Sequence, residues 1–142
     1  MDSPRTLVHA NDIRIRWGDM DAMGHVNNTV YFRYMEQVRI EWFETLGYPV
    51  DSRADSTIVI VNASCSFLVP LTYPGIVQVR MLVGDAGRSS LPTYYEMRLA
   101  GQDVLSAEGA AKVVWIANAT GSSVHLPEKV RQAIQRAKER VA

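Results

Sequence analysis

A single cysteine, Cys65, stands among the 142 residues, so no disulfide can form within the chain. A lone thiol in an apolar run reads as a buried, inert group in a reducing compartment. Neither sign of charge is in excess: fifteen Lys and Arg balance fifteen Asp and Glu. That balance leaves no field to draw nucleic acid or an anionic membrane surface. No stretch is long and apolar enough to cross a bilayer. The opening MDSPRTLVHAND has no apolar h-region, and the expected setting is the cytosol. Missing too are an HExxH or Cys/His metal spacing, a G-x-S-x-G elbow and a glycine-rich nucleotide fingerprint. No repeat, low-complexity tract or linker divides the chain. With 47% hydrophobic residues, it has the material for one cored domain over 1–142.

What is present is organised around Arg16 to Phe43. Before it, Met1 to Arg5 reads as a loose arm, and Leu7 to Trp17 as a strand in which Ile13, Ile15 and Trp17 alternate with Arg14 and Arg16. Gly18 to Asn28 breaks the alternation. A helix follows from Asn28 to Leu46, with Tyr31, Tyr34, Met35, Val38, Trp42 and Leu46 on one apolar face. Arg33, Glu36, Gln37, Arg39, Glu41 and Glu44 are assigned to the opposite side. Asn27 or Asn28 suits the cap, Gly47 the left-handed C′ position, and Pro49 the stop.

After a polar loop over 51–56, four strands are expected: Thr57 to Val69, Ile76 to Val83, Thr93 to Leu99 and Val104 to Ile116. Tyr73-Pro74-Gly75, Gly84 to Gly87 and Gly101-Gln102-Asp103 supply the turns. The short connections make the last three strands antiparallel. Pro127 to Val141 reads as a final helix with a stripe of Val130, Ile134, Ala137 and Val141. Its Arg131, Arg136, Lys138 and Arg140 read as a solvated face. The order of elements gives an α+β architecture, one long helix burying its aromatic face on an antiparallel sheet.

The polar turn before the helix carries the chemistry. Asp19-x-Asp21-x-x-Gly24 opens like a calcium loop, but Met23 and Val30 fall where oxygen ligands are required. His25 has no metal-binding partner at a suitable spacing, and His9 and His125 are remote. Acyl chemistry fits better. The first amides of a helix lack intrahelical partners and, with the helix dipole, favour a developing oxyanion. A carboxylate just upstream can attack a carbonyl or activate water.

The run Asp21-Ala22-Met23-Gly24-His25-Val26-Asn27-Asn28-Thr29-Val30-Tyr31 resembles the D-x-x-G-H-V-N-N-x-x-Y signature of hotdog-fold acyl thioesterases. The nearest group is the 4-hydroxybenzoyl-CoA thioesterase family and its bacterial acyl-CoA relatives. Arg16 to Asp19, Tyr34, Glu36 and Arg39 extend the match. The resemblance implies a curled five-stranded antiparallel sheet wrapped around the central helix, with a C-terminal helix. It also implies at least a homodimer with sheets joined edge to edge and sites between subunits, and a tetramer in many relatives.

By the same resemblance, Asp21 falls on the catalytic carboxylate and the Asn28 N–H on the amide that polarises the thioester carbonyl. Gly24 lets the loop approach substrate without a Cβ. His25, Asn27 and Tyr31 match substrate-side positions or brace the loop. Asp19 reads as a turn residue; Trp17, Tyr34 and Trp42 read as core. CoA phosphates fall to Arg88, Ser89 and Ser90 in the turn after the third strand. The implied activity is hydrolysis of an acyl-CoA thioester, with CoA part of the substrate and no cofactor or metal. An acyl-carrier-protein thioesterase and a non-hydrolysing acyl-CoA-binding module are the alternatives.

Overall fold

The computed structural model describes residues 4–47 and 54–141. The elements in order are β1 (Thr6–Arg14), a 3-10 turn (Trp17–Asp19), α1 (Asn28–Thr45), β2 (Ser56–Phe67), β3 (Ile76–Val83), β4 (Ser90–Leu99), β5 (Ala107–Ala117) and α2 (Glu128–Val141). The strands form one antiparallel sheet in the order β1-β3-β4-β5-β2. The long helix lies on one face of this sheet, as the hotdog resemblance implies.

Alternation decides which side of each strand faces the helix. Val77, Val79, Met81 and Val83 of β3 are fully buried, as are Leu91, Thr93 and Met97 of β4 and Val113 and Trp115 of β5. Cross-strand pairs continue these rows outward. Tyr95 pairs with Gly109 and Gly109 with Cys65; Thr93 pairs with Ala111 and Ala111 with Ala63; Met97 pairs with Ala107 and Ala107 with Phe67. The helix lies along these rows. Tyr31 meets the Phe67 ring edge-on at 4.9 Å, and Phe43 meets Trp115 edge-on at 5.7 Å. Between them Met35 sits over Gly109, where any Cβ would collide with its Sδ.

α1 starts where Asn27 caps it and ends before Gly47, whose φ of 69° is the left-handed value a C′ glycine supplies at low cost. Tyr31, Tyr34, Met35, Val38 and Trp42 are buried as the periodicity requires. Arg39 departs from expectation. Assigned to the solvent side, it is 7% exposed, and Phe43 joins the buried face beside it. Two strand faces and the edge of β2 give the helix a wider buried arc than a single stripe.

Other boundaries also move. β1 ends at Arg14, and the chain turns at once, with the Ile15 N–H donating to the Gly75 carbonyl at 2.9 Å. Ile15 is therefore core, while Trp17, read as a core residue, is 77% exposed on the 3-10 turn. β4 begins three residues early, at Ser90. β5 begins three residues late, because Ser106 leaves the strand pattern to accept the Leu68 and Val69 N–H groups. Arg5, placed in a loose arm, lies 3.6 Å from the Tyr94 ring centroid as a cation–π contact. Met1 to Ser3, Pro49 and the start of the 51–56 loop lie outside the described residues.

α2 buries Val130, Ala133, Ile134 and Ala137 and packs against β1. Arg136, Lys138 and Arg140 are exposed as expected. Arg131 is not a free surface cation: its Nη2 donates to the Gly87 carbonyl at 2.8 Å and the Arg88 carbonyl at 3.3 Å. β1 thus has α2 beside it, whereas β2 pairs on one side only, and both its faces are open from Ile60 to Phe67 except for half-buried Cys65.

Candidate active site

The Asp21 loop is a closed turn. The Asp21 N–H donates to the His25 carbonyl at 2.9 Å, and the Gly24 N–H donates to the Asp21 carbonyl at 3.1 Å. Gly24, at φ 81°, makes the reversal that a side chain would resist. A bridge from Met20 to Val26 closes the loop, and the Val26 N–H donates to the Leu71 carbonyl at 2.8 Å.

Within this loop the Asp21 carboxylate is half-buried and held at both oxygens. Oδ1 accepts the Met23 N–H at 2.9 Å, and Oδ2 stands 3.5 Å from the Asn27 Nδ2 donor. The other end of the Asn27 amide caps α1: Oδ1 accepts from the Thr29 N–H at 2.9 Å and from the Thr29 hydroxyl at 2.6 Å. One side chain therefore ties the carboxylate to the helix start. The cap takes the Thr29 amide and leaves the Asn28 N–H, exposed at the first helical position, with no acceptor among the described residues. A carboxylate and an open amide at the positive end of a helix dipole, joined by one residue, are the two parts acyl transfer needs.

The remaining residues of the opening cluster divide. Asp19 Oδ2 accepts the Tyr34 hydroxyl at 2.8 Å and the Arg16 N–H at 2.9 Å, so this carboxylate is committed to structure. Burial, and then the Asp19 charge, push the Tyr34 phenol well above its ordinary value. Tyr31 is 2% exposed, and its hydroxyl accepts the Leu71 N–H at 3.2 Å, which braces the loop against the chain after β2. Burial raises this phenol as well. The His25 ring is exposed and has no hydrogen-bond partner among the described residues. Cys65 is half-buried rather than buried. Desolvation, followed by the Glu108 charge, pushes its thiol up to about 11, so it stays protonated at neutral pH.

The expected phosphate-binding turn lies elsewhere. The Asp21 loop is tied through the Val26 N–H to Leu71, close to the end of β2 and the start of β5, whereas Arg88 to Ser90 lead into β4 at the other end of the sheet. Ser90 and Met97 are seven residues apart on β4, about 23 Å at strand rise. One chain therefore does not bring Arg88, Ser89 and Ser90 to Asp21. Arg88 Nη2 donates to Ser123 Oγ at 2.8 Å, and the Ser89 carbonyl accepts the Trp115 N–H at 2.9 Å. A groove of about 460 Å³ beside them is lined by Gly87, Ser90, Tyr94, Asn62 and Lys112. Lys112 and Asn62 were not singled out in the sequence, since nothing local links them to residues 87–90. Only the alignment of β2, β5 and β4 does so.

Comparison with known proteins agrees with this architecture. Residues 15–134 match the thioesterase-like superfamily. A candidate thioesterase of Pseudomonas aeruginosa is similar in structure at a TM-score of 0.86 and 38% identity, covering 90% of this chain and 98% of that one. A gentisyl-coenzyme A thioesterase is similar at a TM-score of 0.77 and 25% identity, covering 88% and 98% respectively. A chloroplastic acyl-acyl carrier protein thioesterase of Arabidopsis thaliana is 29% identical over 129 residues, 87% of this chain and 65% of its own length. The match over most of the length, on a five-stranded sheet wrapped about one helix, assigns the chain to the thioesterase-like superfamily as a hotdog-fold thioester hydrolase.

Proposed function

We propose that the protein hydrolyses acyl-CoA thioesters to a carboxylic acid and free CoA, with Asp21 and the Asn28 N–H as its reacting machinery. The observation that carries this is the Asn27 side chain, which links the Asp21 carboxylate to a helix start whose first amide is open. The thioester carbonyl oxygen accepts from the Asn28 N–H, and charge developing on it is met by the helix dipole. Asp21 then either adds to the carbonyl carbon, giving a mixed anhydride that water hydrolyses once the CoA thiolate has left, or takes a proton from a water that attacks the carbonyl directly; in both cases the departing thiolate is protonated. Gly24 and His25 form the rim of the loop over the substrate, while Asn27 and Tyr31 hold that loop in place. Reaction in labelled water distinguishes the two roles of Asp21: isotope in the Asp21 carboxylate marks attack by the side chain.

The working unit in this reading is a homodimer joined through β2, and two dimers make a tetramer. An open strand edge invites pairing with a second copy. Antiparallel β2–β2 pairing turns the second sheet end over end, which carries its Arg88–Ser90 turn to the end where Asp21 lies. Arg88, Ser89 and Ser90, with Lys112 beside them, then offer cations and hydroxyls to CoA phosphates across the subunit boundary. The reaction is placed in the cytosol, needs no metal or cofactor, and involves neither nucleic acid nor membrane insertion. Among the described residues, no helix is long and apolar enough to cross a membrane.

Likeness to the plant acyl-acyl carrier protein thioesterase favours a second reading, a carrier-protein substrate on the same site. Turnover on matched acyl-CoA and acyl-carrier substrates decides between them. CoA predominance supports the first reading; hydrolysis of carrier-bound acyl groups alone removes it.

A further inference from the structure

A groove of about 540 Å³ lies where the C-terminal end of α1, the start of β1 and α2 come together. Its floor is apolar, made by Val8 of β1, Trp42 of α1, Leu46 at the α1 C-cap and Ala133 of α2. Its rim carries Arg136 and Arg140, both exposed. Neither guanidinium has an ion-pair or hydrogen-bond partner among the described residues. Side chains four apart on a helix start about 5–6 Å from one another, so these two can hold one carboxylate between them.

Charge on the other walls sets which way a ligand lies. The α1 side, at Thr45 and Leu46, is the negative end of that helix's dipole and disfavours an anion. Glu139, also on the rim, is turned along α2, where its Oε1 accepts from Gln135 at 3.4 Å. An anionic head therefore belongs over α2, between the two arginines, and an apolar tail over Trp42, Leu46 and Val8. The volume falls within the roughly 300–1,000 Å³ of small-molecule sites.

This groove is separate from the reacting loop. Asn28 and Thr45 stand at opposite ends of α1, seventeen residues or about 26 Å apart. After Gly47, the next described residues, Ala54 and Asp55, are tied to Asn118 beyond β5, on the β2 side of α1 rather than the β1 side where the groove lies.

We propose that the groove is a binding site for a fatty acid, a linear carboxylic acid whose carboxylate bridges Arg136 and Arg140 and whose chain lies on Trp42, Leu46 and Val8. The assignment stands on the groove alone. Under the thioesterase reading, the acid released by hydrolysis belongs to the same class, and the groove is then a seat for product at the end of α1 away from where it forms.

The test compares dodecanoate and dodecanol, both kept monomeric, by equilibrium dialysis against wild type and the double variant Arg136→Gln, Arg140→Gln. A dodecanoate analogue brominated at its terminal carbon locates the tail by quenching indole emission, with Trp42→Phe as the control. Wild type is expected to bind dodecanoate saturably. Dodecanol, and dodecanoate on the double variant, bind weaker by roughly tenfold or more, the loss of a charge-assisted pair. Quenching is largely lost in Trp42→Phe. Should that variant fail to fold, dialysis decides alone.

Equal affinity for acid and alcohol overturns the proposal. So does binding unchanged in the double variant, or quenching that survives Trp42→Phe; both place the acid elsewhere, the Asp21 loop included. Arginine-dependent binding to phosphatidylglycerol vesicles without binding of monomeric dodecanoate also overturns it and assigns the rim to a membrane surface. None of these readouts uses hydrolysis, so the thioesterase reading stands or falls separately.

Discussion

Asn27 Nδ2 lies 3.5 Å from the Asp21 carboxylate, while Asn27 Oδ1 accepts the Thr29 amide hydrogen. One planar amide thus fixes the proposed nucleophile or base relative to the proposed oxyanion donor. The hydrogen bond to Asp21 is long, so its contribution is orientation more than stability.

Asp21→Asn is expected to lower kcat by a factor of about a hundred to ten thousand, the usual range for a positioned acid–base group. Thermal unfolding should move little, because the side chain is half-exposed and asparagine retains an acceptor for the Met23 N–H. Steady-state kinetics with a melting curve checks both. Full hydrolysis by this variant would move the chemistry away from Asp21.

Asn27 has two functions that substitution separates. Asn27→Ala removes the cap and costs about 1 kcal/mol of stability, with a lower kcat. Asn27→Ser keeps an oxygen for the Thr29 amide but loses the donor to Asp21. Its melting temperature should stay near wild type while kcat falls and KM holds. Equal kcat for Asn27→Ser and wild type would make Asn27 a cap alone.

A site shared between subunits predicts complementation. Asp21→Asn and Arg88→Ala homodimers are each impaired, the first in chemistry and the second in CoA affinity. On mixing and re-association, half the dimers are mixed and each contains one intact site, so about a quarter of wild-type activity returns at low substrate. Activity that stays at the mean of the two parents removes Arg88 from the site that Asp21 serves.

Gly109→Ala tests the packing of α1 on β5. The added Cβ would strike Met35 Sδ and lie 3.2 Å from the Ser64 carbonyl oxygen. A loss of about 1–3 kcal/mol is expected from overpacking, read by urea denaturation. Met35→Val in the same chain should restore part of it, and a neutral Gly109→Ala would show that α1 can lift.

Tyr34 gives a pH dependence at the alkaline end. Its phenol is raised by burial and by the Asp19 carboxylate above the ordinary value of 10.0. Below pH 10 both folded and unfolded forms keep the proton, and the stabilisation is fully present. Above it the unfolded chain ionises first and binds fewer protons, so stability falls as pH rises toward the folded value. Urea unfolding at a series of pH values from about 8 to 11 should show this fall. Tyr34→Phe should be less stable at neutral pH, with Asp19 left short of a donor, and should decline less steeply above pH 10.

Much of this was legible in the sequence because it is local. Period-two runs marked β3 to the residue, and the three- and four-residue spacing of Tyr31, Tyr34, Met35, Val38 and Trp42 marked the buried side of α1. The cap at Asn27 and the reversal at Gly47 follow from side-chain and backbone chemistry within a few residues. Trp17 misled because alternation continued in the text after the strand had ended; the Ile15 bond to Gly75 that ends it comes from sixty residues away.

The sequence by itself determined the elements, their apolar faces and the loop that joins Asp21 to Asn28, since each depends on neighbours along the chain. Tertiary structure alone decided that Arg39 is buried, that Asp19 serves Tyr34, and that the Arg88 turn lies at the end of the sheet away from Asp21. Helix rotation and strand order are set by contacts between segments tens of residues apart. A periodic pattern states which residues share a face, but not what that face will meet.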